Sequence, residues 1–223
     1  MTSSSQLALP LPSCPALSRA DLIVGPANAQ AIAFVDAWPD WPAKSAALHG
    51  PAGCGKTHLV SIWRERTGAR SVAASEVGHF DPCAGEAVAI EDIDRAPATA
   101  ARDAAIFAIL ESGGWTLLAG RLPPTAWACV LPDLASRFSA ITALPLREPD
   151  EALLADLARK LFSDRQLFVP DAVIEGMLCR LDRAPGAIRD FVAELDGAAL
   201  AAGKPVSLHM VRSLIAAREI QPP

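Results

Sequence analysis

Apolar positions follow two different rhythms along the chain. Up to residue 147, short apolar runs are separated by longer amphipathic stretches: SAALH (Ser45 to His49), RSVAAS (Arg70 to Ser75), EAVAIED (Glu86 to Asp92), WTLLAG (Trp115 to Gly120) and AITALPL (Ala140 to Leu146). Runs of this length and apolarity suit strands buried on both faces. Between them, Asn28 to Trp38, His58 to Thr67 and Ala100 to Ser112 carry helical spacing, and Pro39 and Pro42 end the first of these. Five short strands alternating with helices predict an α/β fold, a five-stranded parallel sheet sandwiched by helices. From Glu148 the rhythm is helical only, over Asp150 to Arg165, Asp171 to Asp182, Ala187 to Ala202 and Ser207 to Arg218, with prolines at 149, 170, 185 and 205 as punctuation. The expected organisation is a flexible arm over 1–20, an α/β domain over 21–147 and a small helical lid domain over 148–223, with no internal repeat.

Composition narrows the classes of function. The 223 residues are 51% hydrophobic without a long apolar run, which suits one or two compact units and no membrane span. Twenty basic residues against 25 acidic ones leave a net charge of −5, and no like-charged block stands out. Tight autonomous binding to a nucleic-acid backbone is therefore disfavoured, and DNA would be reached only through a partner. Five scattered cysteines without a CxxC pair read as reduced thiols of a cytoplasmic protein. The arm is rich in serine and proline, and it has no Lys or Arg before Arg19 and too short an apolar stretch for a signal peptide.

The most specific chemistry is GPAGCGKT: Gly50, Pro51, Ala52, Gly53, Cys54, Gly55, Lys56 and Thr57, followed by His58 and placed between a predicted strand and a predicted helix. In such a loop glycines turn backbone N–H groups inward around a phosphate and the helix N-terminus adds its positive end. Lys56 would reach the β/γ-phosphates and the Thr57 hydroxyl would ligate Mg²⁺. The expected ligand is ADP or ATP with magnesium; the alternative is a glycine-rich structural turn. In VAIEDID (Val88 to Asp94) an apolar strand ends in Glu91 and Asp92, where side chains project into the ligand crevice of an open α/β sheet. Glu91 would hold the metal through water and Asp92 would orient the attacking water. The bland alternative is a solvated strand end. Asp94 is expected to face solvent or cap the next helix.

GPAGCGKT, IEDID, LPDLASRF (Leu131 to Phe138) and APGAIRDFVAELD (Ala184 to Asp196), in this order and spacing, resemble the AAA+ module of DnaA-type replication initiators. The segment DLIVGPANAQA, with Ile23 and Val24, is similar to the family's adenine-pocket box. The resemblance implies an arginine finger at Arg137, supplied to the γ-phosphate of another subunit, and a sensor II arginine at Arg189. A surface salt bridge is the alternative for the first and a plain helix-surface charge for the second. The chain stops soon after its last predicted helix, where DnaA would continue into a DNA-binding domain. The arm contains QLALPL, and Gln6, Leu7, Leu9, Pro10 and Leu11 match the Q-L-x-L-P-L peptide with which Hda-type regulators dock on the sliding clamp, the β subunit of DNA polymerase III. An extended apolar peptide ended by proline suits a preformed pocket; an inert tail is the alternative.

This resemblance implies a negative regulator of replication initiation. It would be nucleotide-bound, tethered to the DNA-loaded clamp and able to stimulate ATP hydrolysis by the DnaA initiator; self-association is compatible with it. Two departures from the family pattern argue that the chain's own hydrolysis is weak. Glu91 stands where an aspartate is usual, and Arg121 takes the acid's place ahead of Pro123 and Pro124. The competing reading is an autonomous AAA+ ATPase or loader acting on a replication protein.

Overall fold

The computed structural model describes residues 18–220, with side chains as far as Arg218. They divide into two compact units, Ser18–Leu153 and the segment from Leu154 onward. In the first, β1 (Ser45–His49), β2 (Arg70–Ala73), β3 (Val88–Glu91), β4 (Thr116–Gly120) and β5 (Thr142–Pro145) form one parallel sheet in the order β2-β3-β4-β1-β5. The helices of this unit are α1 (Ala29–Asp36), α2 (Lys56–Thr67), α3 (Ala100–Glu111) and α4 (Pro132–Ala140), and α5 (Glu151–Asp164) begins at its end.

The period of two along β1 divides the core. Ala46 and Leu48 pack on one face with Ile32 and Val35 of α1 and Leu59, Val60 and Trp63 of α2. Ala47 packs on the other with Ile106 and Ile109 of α3 and Leu134 and Phe138 of α4. Helices thus cover both faces, which is why the middles of β1, β3 and β4 are apolar and buried. The tryptophans are shared unequally: Trp41 stacks on Trp63 and meets Trp115 edge-on, Trp38 also meets Trp115, and Trp127 sits apart against Phe138 at 5.0 Å on the α3–α4 face.

Four of the five strands are shorter than the apolar runs, and β1 coincides with its own. β3 stops at Glu91 because Asp92 takes a left-handed conformation (φ 56°), which breaks the ladder. Helix α2 starts at Lys56, two residues before the apolar period does, since its first turn is polar loop sequence. α4 fills LPDLASRF, with Pro132 in its first turn.

The second unit comprises most of α5, with α6 (Asp171–Leu178), α7 (Pro185–Ala202) and α8 (Leu208–Ile220). Leu157, Phe162, Ile174, Met177, Phe191, Leu195 and Val211 fill its interior. α6 ends before the expected Asp182, and α7 begins at Pro185, two residues early, because proline is favoured in a helix's first turn.

Candidate nucleotide site and an exposed arginine

The loop after β1 is shaped by glycine backbone. Gly50 has φ 154°, and a Cβ on it would stand 2.1 Å from the Leu146 carbonyl oxygen. Gly55 (φ 102°) is the N-cap of α2 and brings no side chain, so no side chain caps the first turn. The backbone N–H groups of that first turn and the positive end of the helix suit a phosphate. Lys56 Nζ donates to the carbonyl oxygens of Gly50 and Pro51, both at 2.7 Å, and lies 3.7 Å from Cys54 Sγ. Gly50 N donates to Gly120 O at 3.3 Å, tying the loop to the end of β4. The donor set fits the phosphates of a nucleotide. Burial, and after it the charge of Lys56, push the His49 imidazole below its ordinary pKa.

The segment with Ile23 and Val24 is fixed by one buried side chain. Asn28 Oδ1 accepts from Gly25 N at 2.8 Å and its Nδ2 donates to Ile23 O at 2.9 Å. Ser18 O lies 3.0 Å from Nε2 of the buried His58, so the same segment is also tied to the phosphate-loop helix. Val24 is exposed and Ile23 half-buried.

At the end of β3, Glu91 Oε1 accepts from Ser71 Oγ of β2 at 3.2 Å, and Asp92 is exposed, 3.7 Å from Arg95. Among the described residues no three His, Cys, Asp or Glu side chains gather as a metal site. A magnesium ion would depend on Thr57, phosphate oxygens and water, with Glu91 or Asp92 outside them. Asp94 departs from expectation. It neither faces solvent nor caps a helix: its Oδ2 accepts from the backbone N–H of Arg121 and of Leu122, each at 2.7 Å, and so braces the turn after β4.

Arg137 lies on α4 between the inward-facing Leu134 and Phe138 and is itself about half exposed. Its Nη2 is 2.6 Å from Glu111 Oε1, and its guanidinium stands 6.0 Å from the Phe107 ring, both on α3. The surface salt bridge raised as the alternative reading of Arg137 is thus present. α3 ends just before β4 begins and α4 just before β5 begins, so Arg137 stands where the strands start. The phosphate loop follows the opposite end of β1. Arg189 is half-buried in α7 of the second unit. Gln6, Leu7, Leu9, Pro10 and Leu11 lie outside the described residues.

A buried ion pair went unread in the sequence. Arg102 and Asp103, in the first turn of α3, are 5% and 0% exposed and joined at 2.8 Å. The signal is AARDAAIFAIL itself: residues 102, 103, 106 and 109 share the inward stripe, so two charges stand where the period demands apolar groups. Burial and then the Asp103 carboxylate raise the pKa of the nearby Cys129 thiol.

No family model matches the sequence, and no curated protein matches it. Solved structures do. Domain III of the Thermotoga maritima replication initiation protein DnaA is similar with a TM-score of 0.72 at 18% identity, over 93% of this chain and 98% of that one. The protein has the fold of DnaA domain III. AMPPCP-bound DnaA from Aquifex aeolicus follows at a TM-score of 0.64 and 16% identity, over 78% of this chain but only 63% of that one. The Thermotoga maritima RuvB Holliday junction branch migration motor matches at 0.62 and 17% identity, over 79% and 62%. At these identities the likeness concerns the fold. No helix among the described residues is long and apolar enough to cross a membrane.

Proposed function

We propose that this chain is a nucleotide-bound cytoplasmic regulator of chromosomal replication initiation, which docks on the DNA-loaded sliding clamp through QLALPL and presents Arg137 to ATP held by a DnaA-type initiator. The observation that carries this reading is the separation of its two cations. Lys56 sits in the phosphate loop at the ends of the strands, whereas Arg137 stands exposed where the strands begin, so its guanidinium suits a phosphate on another molecule.

The chain's own residues divide the work. Gly50 to Thr57 would hold the β- and γ-phosphates, and the segment of Ile23 and Val24 would lie against the base. Thr57 would help to hold a magnesium ion, whose charge would offset that of the phosphates. Arg189 would take the sensor II role that the resemblance implies. In trans, Arg137 would leave Glu111 and place two parallel N–H donors on oxygens that gain charge as the initiator's phosphoryl group departs. Glu91 and Asp92 could serve hydrolysis in the chain itself, and the autonomous ATPase or loader is the reading that would then prevail.

The deciding measurement is phosphate release from ATP preloaded on the initiator, with clamped DNA and either the parent protein or Arg137→Ala. Stimulation by the parent and its loss in the variant are expected. Turnover by this chain alone that rises with its own concentration, and is indifferent to initiator, would instead establish the ATPase. Alanine at Gln6, Leu7 and Leu9 together should abolish clamp binding by surface plasmon resonance and leave the melting temperature unchanged.

A further inference from the structure

We infer that Arg102 and Asp103 are positioning residues for Arg137: the buried pair caps the start of α4 from α3 and so fixes where the guanidinium is presented. The inference rests on the finger role proposed for Arg137.

α4 cannot secure its own beginning. Its N-cap residue is Leu131, which has no acceptor in its side chain, and Pro132 follows with no N–H. The N–H groups of Val130 and Leu131 therefore need an outside partner, and Asp103 Oδ2 accepts from both. The other carboxylate oxygen is held by Arg102 Nε at 2.9 Å. Arg102 spends its remaining donors on the carbonyls of Ala96, at 2.8 Å, and of Ala128, at 2.6 Å. One pair thus joins the loop after β3, the first turn of α3 and the chain entering α4.

The same α3 stripe reaches the far end of α4. Asp103, Phe107 and Glu111 are spaced four residues apart, hence on one helix face. Asp103 holds the start of α4, and Phe107 and Glu111 meet Arg137 six residues after Leu131, roughly 9 Å along the axis. A tilt at Leu131 is carried to the guanidinium. An apolar pair of similar volume would restore the packing of a buried ion pair but would bond none of these backbone groups, so what the charges add is fixed geometry.

That substitution is the test. Arg102→Met/Asp103→Leu should melt below the parent, because backbone groups of Ala96, Ala128, Val130 and Leu131 lose their partners, yet keep its nucleotide and the concentration of initiator that half-saturates stimulation. The maximal stimulated rate should fall about 10²-fold, as a displaced reacting group costs. Hydrogen exchange should quicken about 10- to 100-fold at Val130 and Leu131, the loss of a bond to a charged acceptor, with α2 unaffected. Should the double variant fail to fold, Asp103→Asn carries the same comparison. Parental maximal rate, or exchange that rises as much in α2 as in α4, would overturn the inference. If the parent itself does not stimulate the initiator, the finger reading fails, and with it the claim that the pair serves a finger; selective exchange at Val130 and Leu131 would then show that the bracket holds α4 for another purpose.

Discussion

Lys56 and Arg137 are both cations held by partners within the chain, but the partners differ in kind. Lys56 is bonded to Gly50 and Pro51, carbonyls of its own loop. Arg137 is bonded to Glu111, a side chain on a different helix. A phosphate arriving in the loop would meet a lysine already in place, needing only a turn of its ammonium. An arginine that serves a second molecule must first be released, and its backbone must be correct beforehand because nothing local will adjust it. A binding residue can thus be built by eight consecutive positions, while a presented residue needs a scaffold assembled from three separate stretches.

If that contrast is right, Arg137→Ala should produce the largest effect, a loss on the order of 10³-fold in stimulated hydrolysis with the chain's own nucleotide retained. Arg137→Lys should recover little, since a point charge cannot reproduce the paired donors; single-turnover phosphate release reads both. Lys56→Ala should do the reverse: fluorescent-nucleotide binding should collapse, and with it the thermal shift, which for ligand at 100 times its Kd corresponds to about 2.7 kcal/mol. Equal melting temperatures of the parent with and without nucleotide would break this half of the comparison.

The release step gives a smaller effect. Glu111→Gln removes the charge that holds Arg137, and an exposed pair of this kind is worth about 0–1 kcal/mol. Stimulation by the variant should therefore rise by no more than roughly fivefold at subsaturating protein, and a fall would mean that Glu111 orients the guanidinium rather than restraining it. The smallest effect is expected at His49. Its depressed pKa means that protons bind the unfolded chain more readily, so its contribution to stability is complete above about pH 6.5 and is lost as the pH falls from there through the folded-state pKa. Denaturant titrations across this range should show a flatter pH dependence in His49→Gln.

What could be read in the sequence follows the same division. The phosphate loop is visible because its chemistry is backbone chemistry at fixed offsets, and the strands are visible because burial on both faces leaves short apolar stretches at their centres. Asp94 was misjudged because its partners, the N–H groups of Arg121 and Leu122, come from the next strand's end and leave no mark beside it. Arg102 and Asp103 show as two charges on the inward stripe of α3, but their partners do not: Ala96, Ala128, Val130 and Leu131 offer only backbone atoms, which any residue type would supply. Local motifs announce themselves by fixed spacing; tertiary brackets made to distant backbone do not.

The unequal sharing of the tryptophans makes the molecule its own optical instrument. Four indoles lie on the phosphate-loop helix's side of the sheet, near enough to couple with one another and to give a near-ultraviolet dichroism that follows that core. Trp127 stands alone on the other side, its Nε1 donating to Leu122 O at 2.7 Å and its ring edge-on to Phe138 of the arginine-bearing helix. A protein reduced to that single indole would report, through the wavelength and lifetime of its emission, how tightly the helix under Arg137 is seated, without any label being attached.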